Sequence, residues 1–534
     1  MTTRKMPLGE QDFGELRKGN MLYVDKTQLI YRLANGAKFN FLSRPRRFGK
    51  SLMISTLKEY FQGNKALFKG LAINELEDAK GETAWQKHEV FHFDFSGGNY
   101  KRDAINALHN RIRVSLEPIE AKYNIPVNSN HDYPARFLNA LKVVSEKSGN
   151  NAVVLIDEYD APLFRNIEIG KGEPETAREE LKGFYSILKT ATPYIRFAIL
   201  TGVTRFSQMS VFSGLNQLND LSFDKNYSAI CGITQQELEN YFAPEIKLLG
   251  DNNGLTYDET LAELKEKYDG YDFTGLGVKV YNPFSTINVL ANSEFENYWF
   301  HSGTPTFLID EITRTGLSIP RLDKGITKGR DEIMNYRLGK NDAVALLFQT
   351  GYLTVSGISK VSDGFILSFP NSEVKYGFYG ALVDYFSDHS NTGTGISATE
   401  LIEDLATEDL DTFFDRLTAF YSGIPNELYR QYEEHYHIIF HVLFTLMGQI
   451  VKSEASTSFG RSDLVIELPE QVYIFEFKTD GNGTADDALA QIDEKGYATK
   501  YKSNPSETRK IYCVGVVFDN EKKTIGEWKS VVNE

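Results

Sequence analysis

The stretch Phe39–Leu52, FNFLSRPRRFGKSL, constrains this chain more than any other. Phe39-Asn40-Phe41-Leu42 is an apolar run that predicts a buried strand. A basic turn follows, and Gly49-Lys50-Ser51 opens a helix that continues through Leu57 and Tyr60. Strand, loop, Gly-Lys-Ser, helix is the order of a phosphate-binding loop. Backbone N–H groups at a helix start attract anions. A Lys there neutralises the β- and γ-phosphates, and the Ser hydroxyl can join the shell of a phosphate-bound Mg2+. The pattern G-x-x-x-x-G-K-[ST] is broken at one place. Arg44 stands where the first Gly belongs, and Pro45, Arg46 and Arg47 stiffen and charge a loop that is normally Gly-rich. By itself the tripeptide also fits a basic surface turn that caps a helix.

A second stretch, about 100 residues further on, adds weight. Ala152–Asp160 reads AVVLIDEYD, an apolar run, Val153–Ile156, ending in Asp157-Glu158. Such a run suits a parallel strand buried on both faces. Acids at its C-terminal end lie at the crevice where α/β sheets bind ligands. Asp157 can hold Mg2+ through water, and Glu158 can orient and deprotonate the attacking water. A strand ending in a solvated acidic turn is the alternative for this motif alone. The two motifs in this order point to nucleotide binding.

A chain of 534 residues should hold two to four domains. A hydrophobic share of 41% and a charged share of 25% are those of globular protein. The net charge of −15 argues against a generally basic nucleic-acid coat but allows a local basic groove. The two cysteines, Cys231 and Cys513, sit in apolar or small-residue settings and read as core thiols of a reducing compartment. No N-terminal signal pattern appears, and no apolar run approaches the ~20 residues of a membrane span. A cytoplasmic protein without membrane contact is the expectation.

Along the chain, Tyr23–Thr27 predicts a short strand and Gln28–Ala34 a helix, a lead-in that often walls a purine pocket. Glu89–Ser96 alternates as a strand, and helices follow over Lys101–Lys122 and Phe137–Ser145. After a charged helix, Glu173–Thr190, the run Ile195–Thr201 is a further buried strand. It ends in Thr201-Gly202-Val203-Thr204-Arg205. Thr201 at that tip can touch the γ-phosphate or the attacking water. Arg205 can supply transition-state charge in cis or to a neighbouring subunit of a homo-oligomer, or simply pair with a nearby acid. A capping pattern, Thr234-x-x-Glu237, starts another helix. Strand-like segments lie at Tyr352–Ile358 and Phe365–Phe369, Ser390–Ser397 is a linker candidate, and a helix spans Thr399–Tyr421.

The last hundred residues predict the order α-β-β-β-α-β: a helix over Tyr432–Ile450, strands at Val451–Thr457, Asp463–Leu468 and Val472–Lys478, a helix over Ala485–Tyr501, and a strand over Lys510–Phe518. Tyr436, Phe440, Leu443 and Met447 recur at helical spacing and mark a core face. Glu476 and Lys478 are two apart on one strand, so their side chains share a face. With antiparallel neighbours, Asp463 and Glu476 can converge on one divalent ion. Lys478 can then orient a water or stabilise charge on a phosphate. Hard oxygen ligands and a phosphodiester suit Mg2+ or Mn2+. A lone Glu-Phe-Lys is commonly a solvated edge strand, so the signal lies in the whole arrangement. His437 and His441 have the i, i+4 spacing of a zinc pair, but neither a Cys nor a third convergent ligand accompanies them. His437 is also i, i+4 from Glu433, which favours a supporting hydrogen bond.

Residues 431–520 resemble the PD-(D/E)XK nuclease superfamily. Asp463, Glu476 and Lys478 match its catalytic core, and Glu433 (Glu434 less well) matches its first-helix acid. Gln491 and Tyr497 resemble the extra Gln…Tyr pair of RecB-like members, though five residues separate them here. Residues 6 to 310 resemble the bacterial and archaeal AAA-ATPase-like family often fused to this nuclease-like domain. The resemblance is carried by Tyr23-Val24-Asp25-Lys26-Thr27, the loop Phe41–Ser51, Asp157-Glu158-Tyr159-Asp160, Thr201–Ser207 and Tyr281-Asn282-Pro283-Phe284. It accounts for Arg44, because Arg-Pro-Arg-Arg-Phe-Gly-Lys-Ser is that family's own loop. It implies a P-loop fold with a parallel sheet and ATP as ligand.

The expected fold is therefore α/β: a P-loop NTPase parallel sheet (1–215) with an associated part (216–310), a helical and mixed middle region (311–430), and a C-terminal αβββαβ restriction-endonuclease-like domain (431–534). Asp157, Glu158, Glu433, Asp463, Glu476 and Lys478 are the catalytic candidates. Arg46, Arg47, Phe48, Gly49, Lys50, Ser51 and Leu52, with Thr201 and Arg205, are the ATP-binding set. Ser51 and Asp157 at one site, and Asp463 and Glu476 at the other, are the metal ligands. The function read from this is an ATPase that gates Mg2+-dependent cleavage of DNA or RNA, consistent with a mobile-element or defence setting. The rival is a STAND-like switch whose nuclease fold only binds nucleic acid or a partner.

Overall fold

The computed structural model describes residues 5–100, 103–127, 132–163, 174–205, 218–302, 306–315, 317, 319–334, 343–388, 395–424, 442–448, 464–502, 509–519, 521–522 and 524–533. The chain divides into two compact units. One comprises residues 1–308 with 322–375, and the other 309–321 with 376–534.

The first unit is built on a five-stranded parallel sheet: β1 (Phe39–Ser43), β2 (Val90–Asp94), β3 (Ala152–Asp157), β4 (Ile195–Gly202) and the short β5 (Asn219–Asp220). Its spatial order is β2-β3-β4-β1-β5. Every residue of β3 is buried, and β4 is buried but for Arg196. That explains why both read as largely apolar runs rather than alternating ones. β4 lies between β1 and β3, with Leu42 opposite Thr201 and Ile156 opposite Leu200. The turns after β1 and β3 therefore flank the end of β4.

The segment Tyr23–Lys26 differs from expectation. It has no strand partner, and the helix that follows is α1 (Thr27–Ala34). Asp25 takes over the local hydrogen bonding: its Oδ1 accepts from the Thr27 amide and hydroxyl at 2.8 and 2.6 Å, and its Oδ2 accepts from the Ala72 amide at 2.8 Å. Helix α2 (Lys50–Phe61) leaves the β1 loop. Helix α3 (Gln235–Asn253) begins with the capping box expected at Thr234 and Glu237. A second box, Thr256 with Glu259, starts α4 (Tyr257–Tyr268), and these helices pack with α5 (Pro283–Asn292) around Phe242, Leu264 and Val289. A three-stranded antiparallel sheet, β6 (Ile326–Lys328), β7 (Thr354–Ile358) and β8 (Phe365–Ser368) in the order β6-β8-β7, completes this unit. Both cysteines are buried thiols.

In the second unit the helix expected over Thr399–Tyr421 is two, α6 (Ala398–Ala406) and α7 (Leu410–Gly423), because Asp409 caps the Thr412 amide at 3.0 Å. A mixed sheet follows: β9 (Leu464–Glu467), β10 (Gln471–Thr479), β11 (Lys510–Asp519) and β12 (Thr524–Asn533), ordered β12-β11-β10-β9. β10 and β11 are parallel, as a strand–helix–strand crossover requires. The crossover helix α8 (Ala485–Glu494) is shorter than expected, for the chain turns at Gly496 with φ +63°. It lies so close to β11 that a Cβ on Gly515 would stand 2.3 Å from the Ala485 carbonyl oxygen. β12 was not among the expected strands, since TIGEWKSVVN lacks a long apolar run. Of the expected helix Tyr432–Ile450, residues 442–448 are described and helical, with Leu443 and Met447 buried. Tyr436, Phe440, the strand at Val451–Thr457 and residues 390–394 of the linker candidate lie outside the described residues.

Candidate active sites

The phosphate loop is held by side chains where a glycine-rich loop would rely on backbone. Arg44 is 1% exposed. Its guanidinium lies 4.4 Å from the Phe273 ring centroid, and Nη1 donates to the carbonyls of Ser43 and Ser222, both at 2.9 Å. Burial lowers its pKa to about 10, against the upward pull of Cys231, Asp220 and Asp272. Pro45 packs against Gly351, whose added Cβ would stand 2.7 Å from the proline ring. Arg47 adopts φ +69°, with its guanidinium 4.1 Å from the Phe284 ring and Nη1 donating to the Trp299 and Tyr298 carbonyls at 2.5 and 3.3 Å. Phe48 is buried, edge-on to Tyr271 at 4.7 Å and Phe273 at 5.4 Å. Lys50 Nζ donates to the Arg44 and Pro45 carbonyls at 3.1 and 3.0 Å.

Arg46, Arg47, Gly49, Lys50, Ser51 and Leu52 line one cavity of about 660 Å3, together with Glu158, Ser96 and Phe284. A smaller apolar cavity shares Gly49, Leu52, Pro283 and Ile287 with it and adds Tyr23, Val24, Ile30, Cys231 and Phe242. Phe48 lines that second cavity and not the first. Its ring packs the loop against Tyr271 and Phe273 and forms part of the apolar cavity. The motif Tyr281-Asn282-Pro283-Phe284, recognisable in sequence without a role, acquires one here. Asn282 Oδ1 caps the Phe284 and Ser285 amides at 2.8 and 3.2 Å, setting Pro283 in the cavity wall and Phe284 beneath Arg47.

Glu158 sits at φ +50° and faces the cavity. Burial raises its pKa, opposed by the Lys50 charge and reinforced by Asp160 and Asp157. Asp157 Oδ1 accepts from the Thr201 hydroxyl at 2.5 Å and the Glu158 amide at 3.0 Å. Asp160 is enclosed: its Oδ2 accepts from the Val203 and Thr204 amides at 3.0 and 2.6 Å and the Thr204 hydroxyl at 2.7 Å, tying the end of β3 to that of β4. Thr201 is buried against Asp157 and does not line the main cavity. Arg205 pairs with Asp220 at 3.1 Å, and its amide donates to Gln349 Oε1 at 3.0 Å. The acid-pairing alternative for Arg205 is the one present.

At the C-terminal sheet, Glu476 is buried, and Lys478 Nζ stands 3.2 Å from its Oε1. The same ammonium donates to Gln491 Oε1 on α8, so the Gln of the extra Gln…Tyr pair belongs to this site. Tyr497 instead packs beside Val472, Ile474 and Ile492. Glu476 Oε2 is buried without a hydrogen-bond partner among the described residues. Leu464, the residue after Asp463 in the chain, pairs with Phe475, the residue before Glu476. Asp463, Glu433, Glu434, His437 and His441 lie outside the described residues. Among the described residues, no group of three His, Cys, Asp or Glu is placed to hold a metal, and no helix is long and apolar enough to cross a membrane.

A β1 loop closing on Gly-Lys-Ser, β4 between it and the acid-bearing β3, and a mixed C-terminal sheet presenting Glu-x-Lys define an α/β protein with a P-loop NTPase sheet and a nuclease-type sheet. Residues 7–212 match the family model described as "Predicted AAA-ATPase", and residues 431–528 match that of the PD-(D/E)XK nuclease superfamily. Over 541 aligned residues the chain is 36% identical to the "Uncharacterized protein in vnfD 5'region" of Azotobacter chroococcum mcd 1, covering 98% of each. The chain belongs to the same family as that protein, and carries a predicted AAA-ATPase domain followed by a PD-(D/E)XK nuclease superfamily domain. Cdc6p from Pyrobaculum aerophilum aligns over 73% of this chain and 96% of its own at 12% identity, with a TM-score of 0.20. A likeness of that size carries no argument.

Proposed function

We propose that this chain binds and hydrolyses ATP at the β1 loop, and that nucleotide state governs a divalent-metal-dependent nuclease site on β10. The observation that carries the first half is convergence. Arg46, Lys50, Ser51 and Glu158, from segments about 100 residues apart, face one cavity large enough for the phosphates of a nucleotide. The adjoining apolar cavity, walled by Tyr23, Val24 and Phe242, offers the base an apolar seat. Lys50 and Arg46 supply charge to the phosphates, and the start of α2 supplies backbone donors. Glu158, raised by burial and within reach of the cavity, is the group that accepts the proton of the attacking water. Thr201 acts through Asp157, orienting its carboxylate. Ser51 would hold Mg2+ in the cavity, with Asp157, buried outside the cavity lining, reaching it through water, and the ion would neutralise charge building on the phosphates.

For the second half, the buried, unpartnered Glu476 Oε2 supports a cation. Lys478 meets Oε1 only, and a buried oxygen left without a partner is costly unless a donor or a cation meets it. Glu476 and Asp463 would hold Mg2+ or Mn2+, which supplies Lewis acidity at a phosphodiester. Lys478, held between Glu476 and Gln491, orients the water or meets charge on the phosphate. The substrate we propose is DNA or RNA. Purified protein given plasmid, single-stranded DNA and RNA, each with and without ATP and Mg2+, tests both halves. Cleavage that depends on metal and changes with ATP is the expected result. ATP turnover without cleavage of any substrate would leave the switch reading in its place.

A further inference from the structure

Glu373 is 1% exposed and lies outside the nucleotide cavity. It occupies the first turn of the helix Ser372–Asp388, where Asn371 Oδ1 caps the Val374 amide at 3.0 Å. Its Oε1 accepts from the backbone amide of Trp299 at 2.8 Å. The carbonyl of that same residue accepts from Arg47 at 2.5 Å. Arg47 lines the cavity, and its φ of +69° is one that a non-glycine residue keeps only where its surroundings over-determine it. The Phe284 ring on one side and the Trp299 carbonyl on the other do this. The Trp299 ring is in turn set against Tyr271 and Phe48, with centroids at 6.2 and 6.3 Å.

We propose that Glu373 is a positioning residue for the phosphate loop: it holds the Tyr298–Trp299 backbone, and the carbonyls of those two residues hold Arg47 in the wall of the nucleotide cavity. A buried acid is costly, and burial pushes this one up to about 7, against the Trp299 amide, the Ser285 hydroxyl and the charges of Arg47 and Lys267. A peptide amide in an apolar surrounding needs an acceptor, and a rigid acceptor on a helix fixes where the Tyr298 carbonyl at the other side of that peptide points, itself an acceptor of Arg47 Nη1 at 3.3 Å. The inference rests on the ATP reading of the cavity for its functional consequence. The anchoring itself is measurable without nucleotide.

The test uses the full chain with Glu373→Ala, Glu373→Gln, Arg47→Met and, as a control in the neighbouring core, Leu290→Ala. Hydrogen exchange of the amides of residues 44–50 is followed without nucleotide, and KM and kcat for ATP are measured beside it. Glu373→Ala should speed loop exchange and raise KM about tenfold, the scale of one lost hydrogen bond to a charged group, with kcat at saturation within twofold. Glu373→Gln keeps an acceptor for the Trp299 amide and should restore both. Arg47→Met, which removes the other end of the relay, should speed the same amides. Leu290→Ala, which loosens the core around α5 without removing a hydrogen bond of the relay, should leave them unchanged. Loop exchange and KM in Glu373→Ala equal to wild type would overturn the proposal. So would a Leu290→Ala profile matching that of Glu373→Ala. If Glu373→Ala does not fold, unchanged loop exchange in Arg47→Met overturns it instead. If wild type neither binds nor turns over ATP while loop exchange responds as stated, the ATP reading fails and the anchoring stands.

Discussion

Replacing Glu373 by Gln should stabilise the protein, and by more at pH 8 than at pH 5. The carboxyl is 1% exposed, so solvent screens it little. Its pKa stands at about 7 instead of 4.5, with burial the largest cause. Between those two values the folded chain keeps a proton that the unfolded chain gives up. Stability from this group is therefore full below pH 4.5, is lost as pH rises through about 7, and stays lost above it. The difference between 4.5 and about 7, at 1.36 kcal/mol per pH unit, amounts to roughly 3 kcal/mol. An amide does not titrate and keeps an acceptor for the Trp299 amide. Calorimetric melting of wild type and Glu373→Gln at both pH values isolates the effect, because every other titrating group is common to the two. The first unit has roughly 360 residues. With an unfolding entropy of about 2.1 cal/mol/K per residue, the gain corresponds to roughly 4 °C in Tm at pH 8, shrinking to about 1 °C at pH 5. An equal Tm difference at the two pH values would show that Glu373 does not titrate in this window and would refute the reasoning.

Other variants probe the two sites and the frame around them. Lys50→Ala should lose ATP binding by calorimetry, since it removes a cavity-lining charge and leaves the Arg44 and Pro45 carbonyls without their donor. Glu158→Gln should keep ATP bound and slow turnover by ~10²–10⁴-fold, the usual worth of general-base catalysis; unchanged turnover removes Glu158 from that role. Lys478→Ala should bind Mn2+ and nucleic acid but cut poorly, whereas Asp463→Ala should lose both metal and cleavage, and equal metal titrations for wild type and Asp463→Ala would end the nuclease reading. Gly515→Ala places a Cβ 2.3 Å from the Ala485 carbonyl, so denaturant melts should show a loss of about 1–3 kcal/mol, the usual cost of overpacking.

Local pattern carried much of this protein. The largely apolar runs of β1, β3 and β4, the Gly-Lys-Ser turn, the acids that end β3, the Thr234 capping box and Glu476 with Lys478 on one strand face are all signals that span a few residues, and each has its place in the structure. Where short-range pattern misled, a local competitor won. The Asp25 side chain replaced a strand ladder at Tyr23–Lys26, Asp409 split one helix into two, and Gly496 ended another early. The sequence alone thus determined the class of sheet, the order of its motifs and which residue types could meet a phosphate. Tertiary structure decided what Arg44, Arg205, Gln491 and Glu373 do. Arg44 reaches a carbonyl 178 residues away, Arg205 turned to Asp220 rather than to the cavity, Gln491 closed on Lys478, and Glu373 found an amide 74 residues distant. No periodicity encodes such pairings. A buried charge takes whichever partner the packed chain brings within hydrogen-bond distance, and that is settled only when the whole core has closed around it.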